Sequence, residues 1–394
     1  MKQGLRAILA ICLCILATGC ATAPPPLATA DLFDDANVRP ATEPVTARDL
    51  FVVSPAMQAY LDNPAFKRQL RNNGVIMGMM DALYTKGELK LDYAADTTRP
   101  AAETFAARKG NCLSLVIMTA AFAQALNLDV IFQDVVVDQQ WSRSAGLYVS
   151  NTHVNLSLSN TGTNAAYDVN PTRTVIDFIP PADAERQRAY PIRRATIVAM
   201  YLNNRAGEAL AQQRFDDAYW WARAAVQADP GFMTAYNTLG VAYQKRGNYL
   251  MAERVYKRAL TRTPEDTIVM HNLVQVLKVN NKLEESGALA ARLASIEPFP
   301  PYHFFEQGIN ALTAGQTNVA KAMFARELRR APYNHEFHYW LALTHLKLGD
   351  ARAARNGLTA AITHSPTPDD SRRYSAKLDY LKSLAASASP LPLR

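Results

Sequence analysis

Apolar residues along this 394-residue chain change their spacing twice. From Met57 they recur at helical intervals: Met57, Leu61, Phe66 and Leu70, then Val75, Met79, Met80 and Leu83. A second helical run holds Leu113, Val116, Ile117, Ala120, Ala121 and Leu126. It opens behind Gly110-Asn111, a start signal, because an asparagine side chain caps the free amides of a first turn. Strand patterns follow. Val130 to Val137 is β-branched, and Leu147 to Leu158 alternates, with Val154, Leu156 and Leu158 on one face and Asn151, His153, Asn155 and Ser157 on the other. A polar face carrying His153 suits a cleft better than a core. Ala165 to Val169, containing Asp168, predicts a third short strand that stops at Asn170-Pro171.

The second half is helical again and repeats on a longer scale. Pro230, Pro264, Pro298, Pro332 and Pro366 are spaced by 34 residues, the period of stacked helix–turn–helix units. The fullest copy places Tyr236, Leu239, Gly240 and Tyr243 on a first helix, Gly247 at the turn, and Ala252, Tyr256 and Ala259 on a second. The fourth copy repeats this with Phe304, Gly308, Ala311, Gly315, Ala320 and Phe324. Small residues such as Gly240 and Ala252 let paired helices approach, and the proline ends the second helix because it lacks an amide hydrogen.

This pattern resembles the tetratricopeptide repeat family over roughly residues 199 to 366, with Asp369 to Leu384 as the polar-faced closing helix that a solenoid needs. The resemblance implies a groove formed by the first helices that binds a peptide or protein. By the family phase it would be lined by Asn203, Asn237, Gln244, His271, Gln275 and Lys278, then by Phe305, Ile309 and Tyr339.

The N-terminus carries Lys2 and Arg6, an apolar run from Ala7 to Ala17, and then Thr18-Gly19-Cys20. A short basic region before about a dozen apolar residues reads as a secretory signal, too short to span a bilayer. Leu16 to Cys20 resembles the lipobox of bacterial lipoproteins, with Ala17 where a larger aliphatic residue is usual. That resemblance implies cleavage before Cys20, lipidation of Cys20, and, with Ala21 rather than Asp next, an outer-membrane location facing the periplasm. Residues 20–46, rich in Ala, Thr and Pro, then read as a flexible tether.

Of four cysteines, this leaves Cys112 alone in the mature soluble part, with no intrachain disulfide partner. A buried inert thiol is one reading. The other starts from position: Cys112 falls in the first turn of a helix, beside unpaired N–H groups and the positive end of the helix dipole, surroundings in which the nucleophilic thiolate is stabilised. The net charge of +7, or +5 without Lys2 and Arg6, is scattered, and no basic stripe interleaved with aromatics points to nucleic acid. The histidines and cysteines show no metal-ligand spacing, and Gly110 and Gly146 are isolated, so no phosphate-cradling loop and no cofactor are expected.

In order, the chain offers Cys112 at a helix start, His153 on a strand and Asp168 on the next strand. The segments Arg108-x-Gly110-x-Cys112, Thr152-His153-Val154 and Tyr167-Asp168-Val169-Asn170-Pro171 resemble the transglutaminase-like cysteine hydrolase superfamily over residues ~75 to 175. Two departures are Asn155, where many members have an aromatic residue, and the absence of a tryptophan before the aspartate. The resemblance implies a Cys112-His153-Asp168 triad acting on an amide. The Cys112 amide would help hold the oxyanion, with Gln133, Gln139, Gln140 and Trp141 as open candidates for a second donor.

The expected organisation is a signal peptide (1–19), a lipidated tether (20–46), an α+β transglutaminase-like domain (47–195) and an all-α repeat solenoid (196–394). Two functions stay open. One is an envelope cysteine peptidase or amidase whose repeats hold a partner; the other is a non-catalytic assembly scaffold with a relic triad. A thiol redox sensor is a third reading, and it needs Cys112 exposed and away from His153.

Overall fold

The computed structural model describes residues 29–85, 92–93, 97–144, 147–161, 173–178, 188–365 and 368–387. Cys20, the signal segment, and Ala165 to Val169 with Asp168 lie outside the described residues.

After two 3-10 turns (Ala30–Leu32 and Asp35–Asn37) come three short α-helices: α1 (Pro55–Asp62), α2 (Pro64–Asn73) and α3 (Val75–Met80). Ser54 and Asn63 cap the first two, and a proline opens each, where its missing N–H costs nothing. Met57, Leu61, Phe66, Met79 and Leu83 are buried, as their spacing predicts. Strand β1 (Asp92–Tyr93) pairs in parallel with β2 (Lys109–Gly110), and helix α4 (Ala101–Ala107) lies between them in sequence. Helix α5 (Cys112–Ala125) then runs through the core. Every residue from Leu113 to Ala123 is buried, so this mainly apolar helix is enclosed on every side, with the hydroxyls of Ser114 and Thr119 hydrogen-bonded. Burying each large side chain, such as Ile117 or Phe122, contributes roughly 1.5–3 kcal/mol.

Strands β3 (Leu128–Ser144) and β4 (Leu147–Asn160) form one long antiparallel hairpin. Its register runs from Leu128 opposite Asn160 to Val135 opposite His153, shifts at an irregularity, and resumes with Gln140 opposite Asn151. Strand β5 (Thr174–Ile176) adds beside β4, and β6 (Arg188–Ile192) beside β3, giving the order β5-β4-β3-β6. The sequence pattern does not predict these two outer strands. β5 spans three residues, and β6 contains Pro191, which a sheet tolerates at an edge.

Five helix pairs follow in the predicted phase. They are α6 (Arg194–Ala211) with α7 (Phe215–Ala228), α8 (Met233–Lys245) with α9 (Tyr249–Leu260), and α10 (Thr267–Val279) with α11 (Leu283–Ile296). Then come α12 (His303–Thr313) with α13 (Thr317–Arg330), α14 (His335–Lys347) with α15 (Ala351–Thr363), and the closing α16 (Pro368–Ser387). Gly240 and Gly308 are needed for close approach. A Cβ on Gly240 would sit 2.3 Å from the Tyr256 ring, and one on Gly308 2.5 Å from the Phe324 ring.

One core cluster extends from Leu32 through α5, the sheet and the first three repeats to Leu277. A separate cluster starts at Tyr302 in the fourth repeat, and a third joins α14 and α15 to Leu378 and Leu381 of α16. The break falls at Pro298-Phe299-Pro300-Pro301, where Ile296 and Phe299 are exposed.

Residues 29–46 correct the tether expectation. They run along both helices of the first two repeats and are fixed there. Leu32 is fully buried, and its carbonyl accepts from Tyr243 Oη at 2.8 Å. Asp31 pairs with Arg258, Asp35 with Arg223, and Glu43 with Arg205. Asp217 accepts from the Thr42 amide at 2.7 Å and its hydroxyl at 2.6 Å. Composition misses this because the anchors follow no period and their partners lie far along the chain.

Candidate functional site

The site begins at the N-terminus of α5. Asn111 caps it, accepting from the Ser114 amide at 2.9 Å, and Cys112 is the first helical residue. The capping side chain is itself held, because its Nδ2 donates to Thr98 Oγ1 at 2.8 Å. Thr98 Oγ1 also accepts from Asn204 Nδ2 at 3.2 Å, and the Thr98 amide donates to Glu208 at 2.7 Å. Both partners stand on α6. The first repeat therefore braces the loop that presents Cys112. Gly110 allows this tight approach, since a Cβ there would meet the Ser114 Cβ at 2.7 Å.

Cys112 is half-buried, is a free thiol, and interacts electrostatically with the His153 side chain. The structure thus brings together two of the three residues in the predicted triad. The carboxylate that meets His153 is Asp177, just beyond β5: its Oδ1 lies 2.6 Å from His153 Nε2. Nδ1 is then the ring nitrogen left for the sulfur. Asp168, expected in this role, lies outside the described residues. Asp177 ends the run Thr174-Val-Ile-Asp177. Its β-branched character and the position of the acid at its end were the available signal, and three residues are too few for periodicity to register.

The alternating pattern of β4 holds, but its polar face is covered. His153, Asn155, Ser157 and Ser159 are each no more than 5% exposed. Asn155 Nδ2 donates to Asp177 Oδ2 at 2.9 Å. Arg173 donates to Ser157 Oγ at 3.1 Å and Ser159 Oγ at 2.9 Å, and pairs with Asp129 at 2.7 Å.

Burial works against charge on His153, yet the hydrogen bond with Asp177 and the interaction with Cys112 outweigh it. Its pKa is raised to about 9, so the imidazolium is the prevailing form at neutral pH. Burial raises the Asp134 carboxyl, a shift that the charge on His153 opposes. Of the second-donor candidates, Gln133 stands opposite Asn155 in the ladder, with Oε1 buried and unpartnered. Gln139, Gln140 and Trp141 belong to β3 near or beyond its irregularity.

In the solenoid, the predicted groove residues all fall on first helices. Asn237 Oδ1 accepts from Asn272 at 2.8 Å, and Gln275 and Lys278 are exposed. Phe305 and Ile309 line a cavity of about 410 Å³ with Glu306, Asn310, Glu336 and Trp340.

Family models described as tetratricopeptide repeat match residues 234–266 and 305–370. Over 79 residues, 19% of this chain, the sequence is 35% identical to tetratricopeptide repeat protein 21A of Mus musculus. That match spans 6% of the mouse protein's length. Among solved structures, the chain is similar to TTC0263, a tetratricopeptide-repeat protein of Thermus thermophilus, with 19% identity and a TM-score of 0.29 over 46% of this chain and 98% of that one. It is also similar to YrrB, described as a tetratricopeptide-repeat protein with an unusual peptide-binding site, with 19% identity and a TM-score of 0.25 over 45% of this chain and 92% of that one. The second half of the chain is an all-α solenoid of tetratricopeptide repeats.

Proposed function

We propose that this chain is a cell-envelope lipoprotein in which a transglutaminase-like cysteine hydrolase domain cleaves an amide bond while the repeats bind a peptide or protein partner. The observation that carries the catalytic part is the Cys112–His153–Asp177 constellation. The lipid anchor rests on the Leu16–Cys20 sequence and the outer-membrane location on Ala21 after it.

In this reading the proton of the Cys112–His153 pair already rests on the ring at neutral pH, and the Cys112 thiolate attacks the amide carbonyl carbon. The oxyanion receives the Cys112 backbone N–H at the open end of α5. His153 returns the proton to the leaving nitrogen as the C–N bond breaks, giving a thioester. Water, deprotonated by His153, then releases the acid; an amine in its place would give a crosslink. Asp177 holds Nε2 and favours the cationic ring, the role of a triad acid.

A second reading, a non-catalytic scaffold, draws on the burial of His153 and Asn155 at 5% and 4% exposure, as expected of a structural polar network. Alkylation of Cys112 separates the two. Followed at the Cys112 peptide by mass spectrometry against pH, it is expected to be rapid below neutrality in wild type and slow in His153→Ala. A sulfur that reacts only after denaturation overturns the catalytic reading. In that event Cys112→Ala should leave the cellular phenotype intact.

A further inference from the structure

We infer that Asn155 is a positioning residue that fixes the Asp177 carboxylate for His153, an inference that rests on the catalytic reading of this site. The β4–β5 ladder pairs Leu156 with Ile176 and Ser157 with Val175. Continued by one step, that register sets Asn155 directly across from Asp177, with His153 on the adjacent diagonal. Asp177 lies past the last ladder pair, where side-chain partners rather than the sheet must set its carboxylate. The two oxygens are divided: Oδ1 faces His153 at 2.6 Å and Oδ2 accepts from Asn155 at 2.9 Å.

The Asn155 amide has a second property that packing does not explain. It is 4% exposed, and its own Oδ1 is buried without a hydrogen-bond partner. An unmet buried acceptor is destabilising, and an apolar side chain of similar volume would avoid it. What the amide supplies here is the donor to Asp177. Among the described residues, the titratable side chains that interact with His153 are Asp177 beyond β5 and Cys112 on α5, while Asp134 of β3, paired with Val154, senses its charge from the other face of the sheet. Of these carboxylates, Asp177 is the one hydrogen-bonded to the ring, so its orientation governs the ring's affinity for a proton.

The test is an NMR titration of ¹³C-labelled histidine in the full chain, assigned with His153→Ala. Wild type should titrate near 9 at His153. Asn155→Leu keeps volume and removes the donor; it should lower the His153 midpoint by roughly one pH unit, a tenfold loss of proton affinity. Asn155→Ala is measured alongside it, so that one folded variant suffices. Ser157→Ala, two residues along on the same face and bonded to Arg173, should leave the midpoint in place. A wild-type midpoint near 9 that Asn155 variants do not move overturns the positioning role and spares the triad. A wild-type midpoint near the ordinary 6.5 overturns the positioning role, since no raised proton affinity is then left for Asn155 to sustain, while the triad itself is decided by the alkylation of Cys112. An equal fall in Ser157→Ala would mean a general loosening of the sheet and would also overturn it.

Discussion

Replacing Asp177 by asparagine tests the electrostatics of the site through stability as well as chemistry. Holding a histidine at about 9 rather than 6.5 corresponds to roughly 3 kcal/mol of folding free energy linked to protonation. His153 and Asp177 side chains are 6% and 13% exposed, so solvent does little to screen the pair. Because the folded-state value is the raised one, this stability is fully present below the unfolded value near 6.5 and is lost as pH rises through about 9. Cys112 supplies part of the shift, so Asp177→Asn is expected to remove about 1–2 kcal/mol at pH ~6. The assay is urea unfolding of wild type and variant at matched pH values from ~6 to ~9.5. Groups unrelated to the pair cancel in the difference. That difference should be widest at the acid end and should shrink as pH passes about 9. A difference that stays constant across the range would refute the reasoning, since it would mean that His153 is not cationic in the folded state.

Thr98→Val removes the hydroxyl that accepts from both Asn111 and Asn204, leaving a buried donor unmet; a loss of about 1–3 kcal/mol is expected in urea unfolding, with slower Cys112 alkylation. Gly240→Ala forces a methyl into the Tyr256 ring and should cost about 1–3 kcal/mol, read as a lower melting temperature. Asp217→Ala leaves Arg214 and Thr42 without their shared, nearly buried partner. It should destabilise the chain by about 3 kcal/mol and speed limited proteolysis within residues 29–46, whereas a strap that contributes nothing would give an unchanged digestion rate.

The sequence by itself determined the solenoid, because repetition is local and cumulative. Prolines at one spacing, small residues at Gly240 and Gly308 and aromatics at Tyr256 and Phe324 each answer a contact within a single repeat or with its neighbour, so the pattern carries the structure. It also determined α5 and its cap, since Asn111 and Ser114 lie within one turn. The tertiary structure decided what depends on distant partners. Asp177 meets His153 because β5 joins β4 in a register that three residues cannot announce. Asn155, a departure when read in sequence, becomes the partner of that carboxylate only once the strands are paired. Residues 29–46 look like a linker until Tyr243, Asp217 and Arg258 are placed beneath them. The break at Pro298 to Pro301 is likewise invisible to a phase that continues undisturbed through it, because period records the spacing of helices and not whether their faces meet.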